Sequence, residues 1–324
     1  MAMDVYDWLL DAEPWVRYRS QVDLLDIDPH SVDATQSYDQ MLAHPKIQTL
    51  LSELSQWPGE PLKSHKTAGH HLHKLVFIAD LGIKADNQQV KAIVQKVKAN
   101  QDQDGPFQIV VNLPRAFGGT GQNERSWMLC DASSTLYALT KLDDLADPAV
   151  QQAVAYLAGL ARESGGWPCA AASKLGKFRG PGKAGDPCPY ASLLMIKALL
   201  PFKNTFRHEV LRAAETILAL WEQRRTVKPF LFAMGSGFQK LKAPLIWYDV
   251  LHVLDVLSQV PGTSKNAAMQ EMVSLVRNKA DELGRYQPES IWMDWRGWDF
   301  GQKREPSPWL TFLVYRVLKR IAAA

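Results

Sequence analysis

Two aspartates stand at helix starts where a carboxyl could do chemistry. Asp131 lies in Trp127-Met-Leu-Cys-Asp-Ala-Ser133 and Asp249 in Trp247-Tyr-Asp249, each followed by leucines at helical steps. A carboxyl set in an apolar wall has its pKa raised toward neutrality, which suits it to donate or accept a proton. Superposing the chain on itself by its leucines brings His70, Asp131, Tyr190, Asp249 and Thr311 to matching positions, with Arg17 as the sixth. Asp131, Asp249, His70 and Tyr190 are therefore the candidate catalytic groups. Arg17, Trp127, Cys130, Cys188, Trp247, Tyr248 and Trp309 are candidate ligand contacts around them. The simpler role for both aspartates is helix N-capping, which Asp performs routinely.

Other clusters carry further options. Ser64-His65-Lys66 and His70-His71-Leu72-His73 hold four of the eight histidines. His70 and His73 share a helical face and could ligate a metal, although histidines at such places also serve as caps. Between Trp292 and Phe300 lie three tryptophans, of which Trp295 and Trp298 are candidate ligand contacts. Indole faces line isoprenoid pockets, stack on sugars or stabilise cations; the alternative is a packed plug. Asp294 or Asp299 is expected within reach of a basic group. Lys174, Lys177, Arg179 and Lys183 form one basic loop, and Arg224, Arg225, Lys228, Lys240 and Lys242 a second. Cations on glycine-rich backbone can wrap an anionic group of a ligand.

These residues need a scaffold, and the chain repeats one. Stretches beginning near Lys66, Trp127, Cys188, Trp247 and Trp309 start 61, 61, 59 and 62 residues apart. Gly105-x-Phe107, Gly165-x-Trp167 and Gly284-x-Tyr286 each follow an amphipathic segment. A steady period marks one copied structural unit. First helices are expected at about 66–82, 127–143, 188–201, 245–260 and 307–322, and second helices at about 87–100, 147–163, 206–223 and 265–283. Pro14-Trp15 echoes Pro308-Trp309 and supplies another first helix, with helices near 34–43 and 46–56 after it. Strand alternation is confined to Gln108–Leu113. The expected fold is all-α: a single (α/α)6-type toroid over residues 1–324, with first helices inside, second helices outside and a central cavity. An open solenoid is the alternative.

Composition narrows the function. A net charge of +3 is too small for bulk nucleic-acid binding. No run approaches the ~18 uncharged apolar residues of a membrane span, and Asp4 and Asp7 interrupt the only apolar run near the start, so no secretory signal is expected. Cys130, Cys169 and Cys188 lack finger spacing and read as reduced thiols of a cytoplasmic protein. No P-loop, dinucleotide fingerprint or Gly-x-Ser-x-Gly elbow is present, which sets aside nucleotide hydrolysis and serine-hydrolase chemistry.

Gln101-Asp-Gln-Asp-Gly-Pro-Phe107 resembles the Q-x-x-x-G-x-W/F repeat of the terpenoid cyclase and protein prenyltransferase superfamily. The later two motifs keep its second half, with Ala161 and Ala280 where Gln would stand. The whole chain resembles bacterial prenyltransferase/squalene-oxidase-repeat proteins, through Trp15-Val-Arg-Tyr-Arg19 and Trp298-Asp-Phe-Gly-Gln302. The resemblance implies the toroid and divides over the reaction. Class II terpene cyclases protonate an alkene with the middle aspartate of D-x-D-D-T-A. Here Asp131 matches the last aspartate and Cys130 stands at the acid's place, and a thiol does not protonate an unactivated alkene. Protein prenyltransferases hold zinc with Asp-x-Cys and a later His. Asp186-Pro-Cys188 matches the first half, while the His position falls near Asp249, with His252 one turn on. No cofactor is expected; zinc is the one the resemblance admits.

The expectation is an enzyme acting on an apolar or isoprenoid-like small molecule by acid/base chemistry, as an isomerase, cyclase or lyase. A non-catalytic ligand-binding or interaction protein is the alternative. A carbohydrate-active hydrolase or lyase, for which Trp and paired carboxylates are also suited, is the second.

Overall fold

The computed structural model describes residues 4–176, 186–229 and 231–323. Helices hold 53% of the residues, and a two-stranded sheet is the remaining regular element among those described. The chain divides into two compact units, Met1–Leu50 with Gly235–Ala324, and Leu51–Met234.

In the unit of residues 51–234, first helices are α5 (His71–Asp80), α7 (Leu129–Leu142) and α9 (Pro189–Leu199), and second helices α6 (Gln88–Lys98), α8 (Pro148–Ala158) and α10 (Arg207–Glu222). Helix α7 packs between α5 and α9, while α6, α8 and α10 lie against the first helices. Every residue of α9, and all of α7 except Lys141, is buried. A helix apolar nearly all round belongs to an interior. Helices α6, α8 and α10 bury only one stripe, such as Val90, Ile93, Val94 and Val97. Strand β1 (Ile109–Asn112), inside the stretch where alternation is expected, pairs antiparallel with β2 (Asn123–Ser126), which lies outside it.

In the other unit, α1 (Val5–Leu10), α2 (Pro14–Arg19) and α3 (Val32–Ala43) precede α4 (Pro45–Leu54), within which the division between units falls. Helix α11 (Val250–Leu257) packs on α12 (Ala267–Arg277) and α13 (Pro308–Ala323), and α13 in turn on α1 and α2.

Two first helices start later than their apolar spacing predicts. His70 and Asp249 cap α5 and α11 through Leu72 N and His252 N, so residues 66–70 and 245–249 remain turns. The capping side chain, not the apolar period, sets the boundary.

The repeated turn is the same structure three times. Gly105 N, Gly165 N and Gly284 N donate to the carbonyls three residues earlier, and Asp102 N, Arg162 N and Asp281 N each donate four residues ahead. The glycines take φ of +122°, +96° and +76°. A Cβ there would meet Gln152 O at 2.8 Å, Thr216 Oγ1 at 2.7 Å or the Tyr315 hydroxyl at 2.7 Å. Each turn is thus pressed against a helix of the following hairpin, and only glycine fits. Phe107, Trp167 and Tyr286 are buried behind these turns. Trp167 N donates to Ser192 Oγ and Tyr286 N to Thr311 Oγ1, both at 2.9 Å. These latches make Ser192 the counterpart of Thr311, and Tyr190 that of Trp309. The leucine superposition, which matched Thr311 with Tyr190, is therefore two residues out of register.

Candidate active site

In the unit of residues 51–234 three segments meet at the starts of α7 and α9. Leu62 bridges β1, donating to Val110 O at 2.9 Å and accepting from Asn112 N at 2.9 Å. That bridge anchors the loop carrying His65, while β2 leads directly into Trp127 and α7. Residues 167–172 run between the two helix starts. Cys188 N donates to Trp167 O (2.7 Å), Leu129 N to Ala170 O (2.9 Å) and Ala172 N to Trp127 O (3.0 Å). These bonds satisfy donors that helix starts leave open, and they set Cys169 beside Cys130 and Cys188.

The centre of the site is Asp131. It is fully buried, and His65 Nδ1 lies 2.9 Å from its Oδ1. The other oxygen, Oδ2, is buried without a hydrogen-bonding partner. Asp131 is three residues past Met128, the N-cap of α7, so it does not cap that helix. Burial works against a charged His65, but the pair with Asp131 outweighs it and raises the imidazole's pKa, with Cys188 adding to the effect. The Tyr190 ring lies 6.1 Å from that of His65 and stacks on Phe232 at 6.0 Å.

Three free thiols adjoin the pair. The neighbouring Cys130 and Cys169 thiols outweigh burial and hold the Cys188 pKa well below the ordinary thiol range. The amides of Ala191 and Tyr190 at the start of α9 act in the same direction. The nearby Cys188 sulfur, with burial, pushes Cys130 and Cys169 up. Cys130 and Cys188 are buried, whereas Cys169 and His65 are half-buried.

A cavity of about 650 Å³ opens on the far end of this strand segment, lined by Gln101, Asp102, Asp104, Gln108, Trp127, Tyr156 and their neighbours. Trp127 and Tyr156 meet edge to face, with centroids 5.7 Å apart. Lys174 of the first basic loop also lines it; Lys177, Arg179 and Lys183 lie outside the described residues.

Other expected site residues have structural duties. His70 Nε2 donates to Glu60 O (2.8 Å), while Nδ1 accepts from Leu72 N (3.1 Å). His73 donates to His65 O (2.9 Å) and so holds the loop that carries His65. Among the described residues no group of three or more His, Cys, Asp or Glu side chains is arranged to hold a metal ion. His65 belonged to the histidine cluster but was not singled out, because a loop residue carries no periodic signal. Its nearness to the repeat start was the sole hint.

In the other unit, Asp249 accepts from His252 N at 3.0 Å, and its second oxygen is buried without a hydrogen bond. Burial raises its pKa to about 6. Trp247 is half-buried and Tyr248 buried against Phe238, with centroids 5.4 Å apart. Arg17 is occupied by Leu10 O, Ala12 O and Gln40. Trp309 is buried against Phe312. Trp295 is buried and Trp298 half-buried, and both pack with Phe300. Trp298 also meets Trp15 at 4.9 Å. The tryptophan loop is a packed aromatic layer. Asp299 accepts from Ser307 Oγ at 2.5 Å and Trp309 N at 2.9 Å, so it secures the start of α13. In the second basic stretch, Lys242 lies over Trp292 at 3.7 Å.

No protein-family model matches the chain, and no curated protein matches it. A crystal structure of a protein from Actinoplanes is similar over 95% of this chain and 90% of that one, at 13% identity and a TM-score of 0.46.

Proposed function

We propose that the protein is an enzyme acting on a small, largely apolar molecule by acid/base chemistry, as an isomerase, cyclase or lyase. The frame of this reading is an α/α toroid of the terpenoid cyclase and protein prenyltransferase kind, in a cytoplasmic protein. Free thiols support the reducing compartment, and the thrice-built glycine turn supports the repeat architecture.

The observation that carries the reading is Asp131. A fully buried carboxylate with one oxygen left unpaired is costly, and even a buried ion pair is often no more stabilising than apolar residues of the same volume. Such a pair is more useful as a proton relay than as a brace. Asp131 keeps the imidazole basic, and His65, partly open to solvent, gives or takes the substrate's proton. Tyr190 is placed beside that ring to orient the substrate or supply a second hydroxyl proton. His65 thus replaces His70 in the working set, and Asp249 stays a separate candidate in its own unit.

Incubation with the apolar fraction of a metabolite extract, read by mass spectrometry, tests this. The wild-type protein should consume a compound that Asp131→Asn leaves untouched while the two melt alike. A product of unchanged mass marks an isomerase or cyclase, a lighter one a lyase. Consumption by both proteins, or by neither, refutes the assignment.

A second reading has its own observation. The cavity of about 650 Å³ is lined with carboxamides and carboxylates beside an indole, which suits a polyhydroxylated ligand. Consumption confined to the polar fraction, and lost in Trp127→Ala, favours a carbohydrate-active protein; retention of a sugar without turnover favours the binding protein.

A further inference from the structure

The cavity of about 650 Å³ carries a charge pattern of its own. Trp127 and Tyr156 meet at 81° in its wall, so the two rings form adjacent sides of a corner. The glycine turn that contributes Gln101, Asp102 and Asp104 completes the polar part of the lining. Both amide protons of Gln101 are engaged, by Gly105 O and Ala149 O at 2.8 Å, and the Gln108 amide donates to the Asp102 carboxylate. What these side chains still offer is oxygen, so acceptors outnumber donors. Lys174 is the one cation among the lining residues, against two carboxylates. Burial, and after it the charges of Asp104 and Asp102, hold the Tyr156 phenol above its ordinary pKa, so both carboxylates act on the ring. Asp104 has no duty in the turn itself. The two other copies of the turn close equally well with Ser164 and Leu283 at that place.

We propose that this cavity binds an organic ammonium ion, with its charge against Asp102 and Asp104 and its carbon skeleton in the corner of Trp127 and Tyr156. A cation is drawn to the negative face of an aromatic ring, and the attraction grows as the pair leaves water. An ammonium group donates hydrogen bonds and accepts none, which matches a lining rich in oxygen. A hydroxyl asks for donors as well as acceptors, and here the Gln101 donors are already taken. The carboxylates are also held in place before any ligand arrives. Asp102 accepts from Asp104 N at 3.1 Å, and Gln152 of the next hairpin donates to Gln103 O at 3.0 Å. A turn fixed in advance loses little freedom on binding. The proposal rests on the second reading above only in taking this cavity as a ligand site; the charge of the ligand is what it adds.

Titration calorimetry of the full-length protein with two matched pairs tests this: glucosamine against glucose, and choline against its neutral tert-butyl isostere. In at least one pair the amine should bind roughly tenfold tighter than its neutral partner. A preference in the first pair marks a primary ammonium, in the second a methylated one. Raising salt from about 0.02 to about 0.5 M should weaken the preferred amine severalfold. Asp104→Asn, at an exposed turn position, should fold normally and lose roughly three- to fivefold in affinity. Tyr156→Leu removes one side of the corner and should lose more; if it fails to fold, the matched pairs and Asp104→Asn decide. Glucose bound as tightly as glucosamine, with choline no better than its isostere, overturns the ammonium and leaves the second reading standing. Binding of none of the four at about 10 mM overturns the proposal and removes the cavity's ligand role as well. An amine affinity unchanged in Asp104→Asn places the cation elsewhere and overturns the proposal alone.

Discussion

Asp249 allows a test in which magnitude and sign both follow from its surroundings. Its carboxyl ordinarily titrates near 3.8, and burial raises it to about 6 in the folded protein. The folded state therefore binds the proton more tightly than the unfolded chain does. At pH below the unfolded value both states are protonated and burial of the neutral acid costs little. Between the two values the unfolded chain ionises first, and stability falls as pH rises. Above the folded value the loss is complete. A difference of about two units at ~1.4 kcal/mol each amounts to about 3 kcal/mol. Asp249→Asn retains the oxygen that accepts from His252 N at 3.0 Å, so the cap of α11 survives. The new amide nitrogen takes the place of an oxygen without a partner, which adds an offset that does not vary with pH. Urea unfolding of both proteins at several pH values between 4 and 8 isolates the variable part. The stability gap should move by about 3 kcal/mol in favour of asparagine from the acid to the alkaline end. A gap that stays constant, or moves toward aspartate, would refute the account of the buried carboxyl and remove Asp249 from the acid/base candidates.

Lys197 is buried with Asp80 at 3.3 Å and lies over the Tyr137 ring at 4.2 Å. Lys197→Met should cost roughly 3–5 kcal/mol by stranding the carboxylate, and the Asp80→Asn/Lys197→Met pair should recover most of it in denaturant unfolding. Trp295→Ala removes a buried indole and should cost roughly 3–5 kcal/mol, whereas Trp298→Ala, at a half-buried site, should cost clearly less. Equal thermal shifts for the two tryptophan variants would contradict the packing described.

The helices were legible because their apolar periods run long, and the glycine turns because a positive φ is a local demand that one residue type meets. Asp131 was legible as a carboxyl residue at the head of a segment whose leucines recur at helical steps. What periodicity could not supply was register. Leucines tolerate a small slip along a helix, while the bonds from Trp167 and Tyr286 to Ser192 and Thr311 do not. For the same reason Asp249 and Asp131 looked equivalent, although one caps its helix and the other sits a turn inside. His65 depended on the Leu62 bridge to β1, a pairing between segments nearly fifty residues apart that no local pattern records. The three cysteines likewise needed the segment 167–172, bonded to both helix starts, to bring Cys169 near the other two.

The latches from the Gly165 and Gly284 turns to the next first helix have a consequence for how the chain emerges during synthesis. Trp167 and Ser192, like Tyr286 and Thr311, are 25 residues apart. The bond that fixes a turn becomes available soon after the turn itself has left the ribosome, before distant parts of the chain exist. Contacts of such short range carry a small loop-closure cost and favour early, local ordering. At these two turns the first helix that follows brings the hydroxyl that fixes the turn, so each pair can order locally.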